Sequence, residues 1–309
     1  MRSAVAFSPA GISSFFEICD TAMNGFPIRD PVKIGARGGG FGIKRGVKTH
    51  VMVYEASVNS VEIFINGREA PDAETTREVV YMLLKKAGKC CHVIVKHEVD
   101  VPIGAGFGSS AAGALSTALA LSKALDLHLT YNQIGQIAHV AEVKCNTGLG
   151  TVGPLMIGGC VITLEPGAPG VAVLDRIPIT EDYVIVAGVV GAIPTKTVLS
   201  SPERRLAVNR WGRKTLERIL EDPSLENFLK CCRIFAEETG FITERVHALM
   251  KAADDAGAIG VAQNMVGEAV HALTTIENAE KVAQAFSRLL PKEKILVAGI
   301  TLQGARLLG

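Results

Sequence analysis

Residues 101–115 read Val-Pro-Ile-Gly-Ala-Gly-Phe-Gly-Ser-Ser-Ala-Ala-Gly-Ala-Leu, and they limit the folds open to this chain more than any other stretch. Three alternating glycines let backbone N–H groups turn toward one point without a Cβ in the way. Two serines follow, and serines cap a helix whose first N–H groups stay free. Free N–H groups at the positive end of a helix dipole bind phosphate. The alternative is a glycine turn that only packs the helix closely.

The elements on either side of this glycine loop (residues 104–108) favour the phosphate site. Cys91–Val99 alternates in polarity and is rich in β-branched residues, so it predicts a strand. Residues 109–126 carry alanine and leucine on every face and no charge before Lys123, which predicts a buried helix. We therefore expect the N-terminus of this helix to open into a cleft.

The loop matches neither of two familiar phosphate-binding patterns. A P-loop ends in Gly-Lys-Ser/Thr, and this loop has no lysine. The dinucleotide fingerprint G-x-G-x-x-G needs a third glycine, and Ser109 stands in its place. The pattern thus predicts a phosphate site at a helix N-terminus that works without a lysine.

Length and composition exclude several classes of function. A chain of 309 residues, 48% of them hydrophobic, supports one large or two ordinary domains. A net charge of +1 argues against nucleic acid as the main partner. The longest apolar run, residues 184–193, is too short to span a bilayer, so no membrane partner is expected. Seven cysteines without a C-x-x-C pair indicate reduced thiols and a cytoplasmic location.

Strand and helix signals are mixed irregularly, which indicates an α+β fold rather than a regular βαβ repeat. Residues 3–8 predict a strand that ends in a turn at 9–11, and residues 47–57 and 60–66 predict a hairpin that ends at Asn66-Gly67. A Pro/Gly-rich loop at 166–170 predicts two domains, 1–168 and 169–309. Helices are predicted at 72–87, 131–144, 202–220, 224–239, 243–256 and 277–290, and strands near 154–165, at 183–190 and at 295–302.

A second candidate site element lies on the helix predicted at residues 131–144. This helix follows the one that begins at the glycine loop. The capping box Thr130-x-x-Gln133 predicts where this helix begins, and its apolar stripe runs from Ile134 to Ala141. Glu142 lies on the flank of that stripe. A carboxylate at the edge of a buried face needs a partner, either a lysine or arginine in a salt bridge or a Mg²⁺ held between protein and phosphates. The nearby glycine loop favours magnesium.

These motifs resemble a known family of enzymes. Pro102 and Gly106-Phe107-Gly108-Ser109-Ser110-Ala111-Ala112 are similar to the central motif of the GHMP small-molecule kinases, such as galactokinase, homoserine kinase and mevalonate kinase. The chain resembles one branch of this family, the archaeal pantoate kinases, along nearly its whole length. The segments that carry this likeness are residues 6–16, 35–40, 141–143, 147–150, 158–159 and 260–267.

The resemblance implies a two-domain fold, a ribosomal-S5 domain-2-like N-terminal domain and a ferredoxin-like C-terminal domain with ATP and the acceptor between them. It implies phosphorylation of the hydroxymethyl group of pantoate with ATP and Mg²⁺, an early step of coenzyme A synthesis, and a homodimer. Two alternatives stay open. One is a kinase for another small hydroxy acid or alcohol, and the other is a non-catalytic nucleotide or metabolite sensor on the same scaffold.

The same resemblance implies roles for individual residues. Ser110 lies near Mg²⁺, and Glu142 corresponds to the metal-binding glutamate. The family's aspartate base corresponds to Thr151, and a threonine takes up no proton at neutral pH. Either phosphoryl transfer proceeds by positioning and charge neutralisation, or the acceptor differs, or the chain is impaired. The ATP phosphates are expected at Pro102, Gly104, Ala105, Gly106, Phe107, Gly108, Ser109, Ser110 and Ala111.

Acceptor binding is predicted for Ser13, Ser14, Arg37, Thr195 and Lys196. Arg37 lies amid glycines, where a bidentate guanidinium suits a carboxylate, and the alternative is a structural salt bridge. The basic run from Arg204 to Arg218 indicates a solvated face, part of which attracts an anionic substrate or ATP. His92 and His97 are five apart in a strand, so they face opposite sides and share no metal.

Overall fold

The computed structural model describes residues 1–22, 24–192 and 202–309, whose strands form two sheets. The first sheet comprises β1 (Arg2–Cys19), β2 (Gly35–Glu55), β3 (Ser60–Ile65), β4 (Arg68–Glu69), β5 (Cys91–Val99), β6 (Cys160–Glu165), β7 (Val173–Ile177) and β12 (Arg306–Leu308). The second sheet comprises β8 (Tyr183–Gly191), β9 (Gly260–Gln263), β10 (Glu268–Thr275) and β11 (Ile295–Gly299).

The described helices pack against both sheets. They are α1 (Glu74–Ala87), α2 (Ser109–Ala124), α3 (Tyr131–Cys145), α4 (Val152–Ile157), α5 (Pro202–Glu221), α6 (Leu225–Glu238), α7 (Glu244–Asp255) and α8 (Ala279–Ser287). Helix α2 packs between β1–β2 and helices α1 and α3, while α7 and α8 pack on the second sheet. Within the described ranges, no helix has the length and apolar content needed to cross a membrane.

The burial of α2 confirms the sequence prediction. All its residues from Ala111 to Ser122 are buried, as expected for a helix that is apolar and small-sided all round. Its small side chains let the backbone lie close to β1 and β2. The helix therefore begins beside β1, where the N–H of Gly11 donates to the carbonyl of Phe107 in the glycine loop at 3.2 Å.

Two predicted turns in the first sheet are wrong. Residues 9–11 do not turn, because β1 continues through them with a register shift between Pro9 and Ala10 and stays paired with β2. The segments predicted as a hairpin do not pair with each other. Strand β5 lies between β2 and β3, antiparallel to the first and parallel to the second. The Asn66-Gly67 turn instead joins β3 to β4.

The mixture of helices with two mostly antiparallel sheets confirms the predicted α+β class. Two strands that follow residue 168, β7 and β12, pair with β6 and β1 in the first sheet. The domain limits 1–168 and 169–309 stay a prediction. The capping box at Thr130 and Gln133 is present, with both of its hydrogen bonds.

Candidate active site

A cavity of about 440 Å³ lies where β1, β2, the glycine loop and residues 146–151 meet. Ser13, Arg37 and Thr151 line it, together with part of the predicted phosphate site. The loop residues on the cavity wall are Gly104, Gly106, Phe107, Gly108, Ser109 and Ser110. Tertiary structure thus brings the glycine loop, Thr151 and two acceptor candidates, Ser13 and Arg37, to one space.

The glycine loop has a backbone that only glycine adopts readily. The φ angles of Gly104, Gly106 and Gly108 are +76°, +77° and +61°. Gly108 is the N-cap of α2, so the prediction that the serines cap the helix is wrong, because a left-handed cap disfavours a Cβ. Ser109 and Ser110 are the first helical residues, whose N–H groups have no partner within the helix. Gly108 therefore replaces the serines as the cap, and phosphate binding at this helix N-terminus stays a prediction.

Glu142 is buried beside the start of α2, with 2% of its surface exposed. Its Oε1 accepts a hydrogen bond from Thr147 Oγ1 at 3.2 Å, and Ser110 also donates to the carboxylate. Among the described residues, no lysine, arginine or histidine forms an ion pair with it. Burial raises the pKa of Glu142 to about 7, and the two hydrogen bonds limit the rise. The salt-bridge alternative is therefore not what the structure shows.

The surroundings of Glu142 fit a divalent cation. Thr75 Oγ1 lies 2.9 Å from Thr147 Oγ1 and 3.4 Å from Ser110 Oγ, so a third hydroxyl joins the two that bond with the carboxylate. The described part of the chain has no group of three or more His, Cys, Asp or Glu suited to a metal. Mg²⁺ is usually held by one or two carboxylates together with phosphate oxygens and water. The residues present fit a Mg²⁺ that binds together with nucleotide phosphates.

Arg37 forms a structural salt bridge, which was the alternative to acceptor binding in the sequence analysis. Its Nε lies 2.9 Å from Glu17 Oε2 and its Nη2 2.9 Å from Glu17 Oε1, which also accepts from Arg213 Nη2 at 3.0 Å. Among the described residues, Glu17 is the one carboxylate that pairs with these two guanidinium groups, so this cluster carries a net positive charge. Arg37 is also the one charged residue among the described residues on the cavity wall. It supplies the positive charge of the cavity from a fixed position.

Other predicted acceptor residues are placed differently. Ser14, in β1, does not line the cavity. Its side chain is fully buried, and its Oγ bonds with His271 Nε2 at 2.9 Å. Thr195 and Lys196 lie outside the described residues. Pro102, Ala105 and Ala111 are not on the cavity wall either.

Most basic residues of the run from Arg204 to Arg218 on α5 contact neighbouring acidic or aromatic side chains. Arg205 donates to both carboxylate oxygens of Asp20 at 2.7 Å, and Lys214 lies over the ring of Trp211 at 4.5 Å. The two histidines face opposite sides of β5, as predicted. His92 bonds with Ser60, while His97 is buried and bonds with hydroxyls on the other side.

Sequence reasoning missed several residues of this site. Thr75, in the first turn of α1, has no signal in the sequence that would connect it to Glu142. Met265 and Val266 line the cavity from the loop after β9, and the glycines at 260–267 were the available signal. Gly148 was another available signal in the sequence. A Cβ at this position would collide with the Glu142 carboxylate, so the loop at residues 146–151 packs directly against that carboxylate.

The chain is similar over most of its length to known kinases. Residues 74–159 match the family model described as GHMP kinases N terminal domain. Pantoate kinase of Thermococcus kodakarensis is 33% identical over 287 residues, which are 91% of each chain. The chain belongs to the GHMP kinase family. The pantoate kinase of Methanocaldococcus jannaschii is 30% identical to this GHMP kinase, over 89% of this chain and 94% of that one.

Solved structures extend this likeness to three dimensions. One described as "Phosphotransferase related to CoA biosynthesis pathway" has a TM-score of 0.87 and 31% identity, and the match covers 99% of this GHMP kinase and 98% of that chain. Homoserine kinase from Cytophaga hutchinsonii has a TM-score of 0.73 at 19% identity over 100% and 98% of the chains, which shows the shared fold alone. The predicted family, fold class and enzyme class, a small-molecule kinase, are confirmed.

Proposed function

We propose that this GHMP kinase transfers the γ-phosphoryl group of ATP to the hydroxymethyl oxygen of pantoate, which gives 4-phosphopantoate and ADP. The names of its full-length relatives support this acceptor. The observation that carries the proposal is the content of one cavity. The N-terminus of α2 and the guanidinium of Arg37 lie on its wall. The buried carboxylate of Glu142, which has no ion-pair partner among the described residues, lies next to that wall and accepts a hydrogen bond from Ser110.

Each group has a role that its position supports. The N–H groups of the glycine loop and of Ser109 and Ser110 bind the ATP phosphates. Glu142 and Ser110 would hold Mg²⁺, which supplies neutralisation of the phosphate charge when it is bound. Phosphoryl transfer depends mostly on such positioning and electrostatic stabilisation, so a site without a base at Thr151 can still perform it.

Arg37 favours an acceptor that carries a carboxylate. A guanidinium held on one side by Glu17 is already oriented, so little side-chain entropy is lost when a second anion binds. Pantoate, mevalonate and homoserine all have a carboxylate. Arg37 therefore supports the class of acceptor, and the relatives support pantoate within that class.

Arg37→Ala is expected to raise KM for pantoate roughly 10–30-fold, because a charge-assisted hydrogen bond contributes about 1.5–3 kcal/mol, and to leave KM for ATP nearly unchanged. Arg213→Ala is the matched control, since Arg213 bonds with the same Glu17 oxygen but does not line the cavity. Steady-state kinetics with each substrate varied in turn measure both values. An equal rise in both variants would contradict direct contact between Arg37 and the acceptor.

The acceptor is tested by incubating the protein with Mg²⁺, ATP and either pantoate, mevalonate or homoserine. ADP release gives the rate, and ³¹P NMR identifies the phosphorylated product. We expect turnover with pantoate. Turnover with another acceptor alone would replace pantoate in the proposal, and ATP binding without any turnover would support the sensor alternative.

Thr151 is the observation that favours a sensor. It lines the cavity, and its Cγ2 would lie 2.9 Å from a Cβ at Gly108, so it directly faces the phosphate loop without an ionisable group. Thr151→Asp separates the alternatives. General-base catalysis contributes roughly 10²–10⁴-fold, so an inactive wild type with an active variant would assign the sensor role. An active wild type supports a kinase that works without this base. The homodimer and the cytoplasmic location stay predictions.

A further inference from the structure

We propose that Asn264 is a positioning residue that fixes the phosphate loop, and that His271 and Ser14 orient it. Asn264 lies in the loop between β9 and β10, on the second sheet, whereas the glycine loop belongs to the first. The proposal rests on the proposed function in one respect, which is that the glycine loop binds the phosphates of ATP.

A continuous chain of hydrogen bonds crosses from β1 to the glycine loop. Ser14 Oγ lies 2.9 Å from His271 Nε2, His271 Nδ1 lies 2.9 Å from Asn264 Oδ1, and Asn264 Nδ2 lies 3.2 Å from the carbonyl oxygen of Ala105. All three side chains have 0% exposure. Because these side chains are buried from bulk solvent, each bond constrains the next.

The donors and acceptors of these hydrogen bonds can be assigned in one direction, from Ser14 to Ala105. The carbonyl of Ala105 only accepts, so the amide nitrogen of Asn264 donates to it and the amide oxygen is left to accept from His271. His271 therefore carries its proton on Nδ1, and its Nε2 accepts from the Ser14 hydroxyl. Burial lowers the pKa of His271 to about 3, which keeps the ring neutral and agrees with this tautomer.

The last bond of the chain acts on the part of the loop that faces the cavity. In a trans peptide the carbonyl of Ala105 and the N–H of Gly106 point in opposite directions. Because Asn264 holds that carbonyl, the N–H of Gly106 points away from Asn264, and Gly106 lines the cavity. A glycine-rich loop has much conformational freedom to lose on binding. Holding one of its peptide planes lowers the cost of ordering it around phosphate.

Further contacts hold the loop between β9 and β10 against β1 and against the glycine loop. The N–H of Met265 donates to the carbonyl of Ser13 at 2.7 Å. Gly267 lies against the backbone of Ala105, and Gly106 lies against the side chain of Asn264, so closely that neither position has room for a Cβ. Asn264 is therefore packed in place as well as hydrogen-bonded.

Asn264→Asp tests the proposal because it keeps the shape and the acceptor for His271 but removes the N–H that Ala105 accepts. We expect the Kd for ADP with Mg²⁺, measured by calorimetry, and KM for ATP to rise about tenfold. KM for pantoate is expected to change less than twofold. Amide hydrogen exchange at residues 104–111 is expected to become faster. Ser14→Ala, at the far end of the chain, is expected to act in the same direction with a smaller effect.

Asn278→Asp is the matched control, because the amide of Asn278 also donates to backbone carbonyls, those of Ala256 and Gly257, but not at the cavity. It is expected to lower Tm without changing ADP binding. Wild-type ADP affinity and wild-type hydrogen exchange in Asn264→Asp would overturn the positioning role. If the wild type itself does not bind ADP, the proposed function fails, and hydrogen exchange without nucleotide still decides whether Asn264 holds the loop.

Discussion

Glu142→Gln is expected to lower kcat/KM for ATP roughly 10²–10³-fold, the usual cost of removing one group that stabilises charge in a transition state. The amide keeps the shape of the carboxyl group and retains one oxygen that accepts a hydrogen bond, as Glu142 Oε1 accepts from Thr147. It lacks the negative charge that would hold Mg²⁺. The same substitution is expected to make the protein more stable above pH 7 when neither Mg²⁺ nor nucleotide is present.

The direction of this stability change follows from the pKa of Glu142. Its carboxyl group ionises near pH 4.5 in the unfolded chain and at about 7 in the folded protein. The folded state is therefore favoured fully below pH 4.5, and this contribution is lost as the pH rises to about 7. Glutamine does not titrate, so the advantage of the variant grows over that window to about 3 kcal/mol and then stays constant.

Thermal and urea denaturation between pH 4 and pH 8 measure this difference. Glu98→Gln, which changes a largely exposed carboxylate paired with Lys48, is the control and is expected to show no comparable effect. Adding Mg²⁺ and ADP is expected to stabilise the wild type but not Glu142→Gln. A variant that is less stable than the wild type at pH 8 would show that another group satisfies the buried charge.

Gly106→Ala is expected to weaken ADP binding roughly a hundredfold, because it strains the loop by about 1–3 kcal/mol and moves its N–H groups. The φ angle of Gly106 is +77°, and an added Cβ would lie 2.7 Å from Asn264 Cβ and 3.2 Å from Asn264 backbone carbon. Either the loop or the Asn264 segment must shift. Calorimetric titration with ADP and Mg²⁺ measures the loss.

Gly88→Ala is the control for the backbone conformation alone. Gly88 ends α1 with φ of +62°, and nothing lies within 4 Å of an added Cβ. It is expected to cost about 1–2 kcal/mol of stability and to leave ADP binding unchanged. If both variants bind ADP equally well, the glycine loop does not depend on the geometry described for Gly106.

Much of the local structure was predictable because its causes lie within a few residues. The strand at Cys91–Val99 follows from alternation, the start of α3 from its capping box, and the buried helix α2 from its uniform small apolar surface. The cap of α2 was mispredicted, since two serines and a glycine all suit an N-cap and only the backbone angle distinguishes them.

Strand partners were harder to predict from local patterns. Residues 47–57 and 60–66 are close in sequence, yet β5 lies between their strands, since a parallel β3–β5 pair can be reached only through α1. Strand β10 carries polar and small residues in a sequence that gave no strand signal, and it still forms the buried centre of the second sheet.

The sequence by itself determined the glycine loop, the helix behind it and the carboxylate of Glu142, because glycine freedom, helical periodicity and burial are properties of short segments. Only the tertiary structure decided that Glu142 has hydroxyl partners and no cationic partner among the described residues, and that Arg37 pairs with Glu17. It also decided that the amide of Asn264 donates to the carbonyl of Ala105. These contacts join residues from distant parts of the chain. Their energies depend on which surfaces exclude water together, and no local pattern records that.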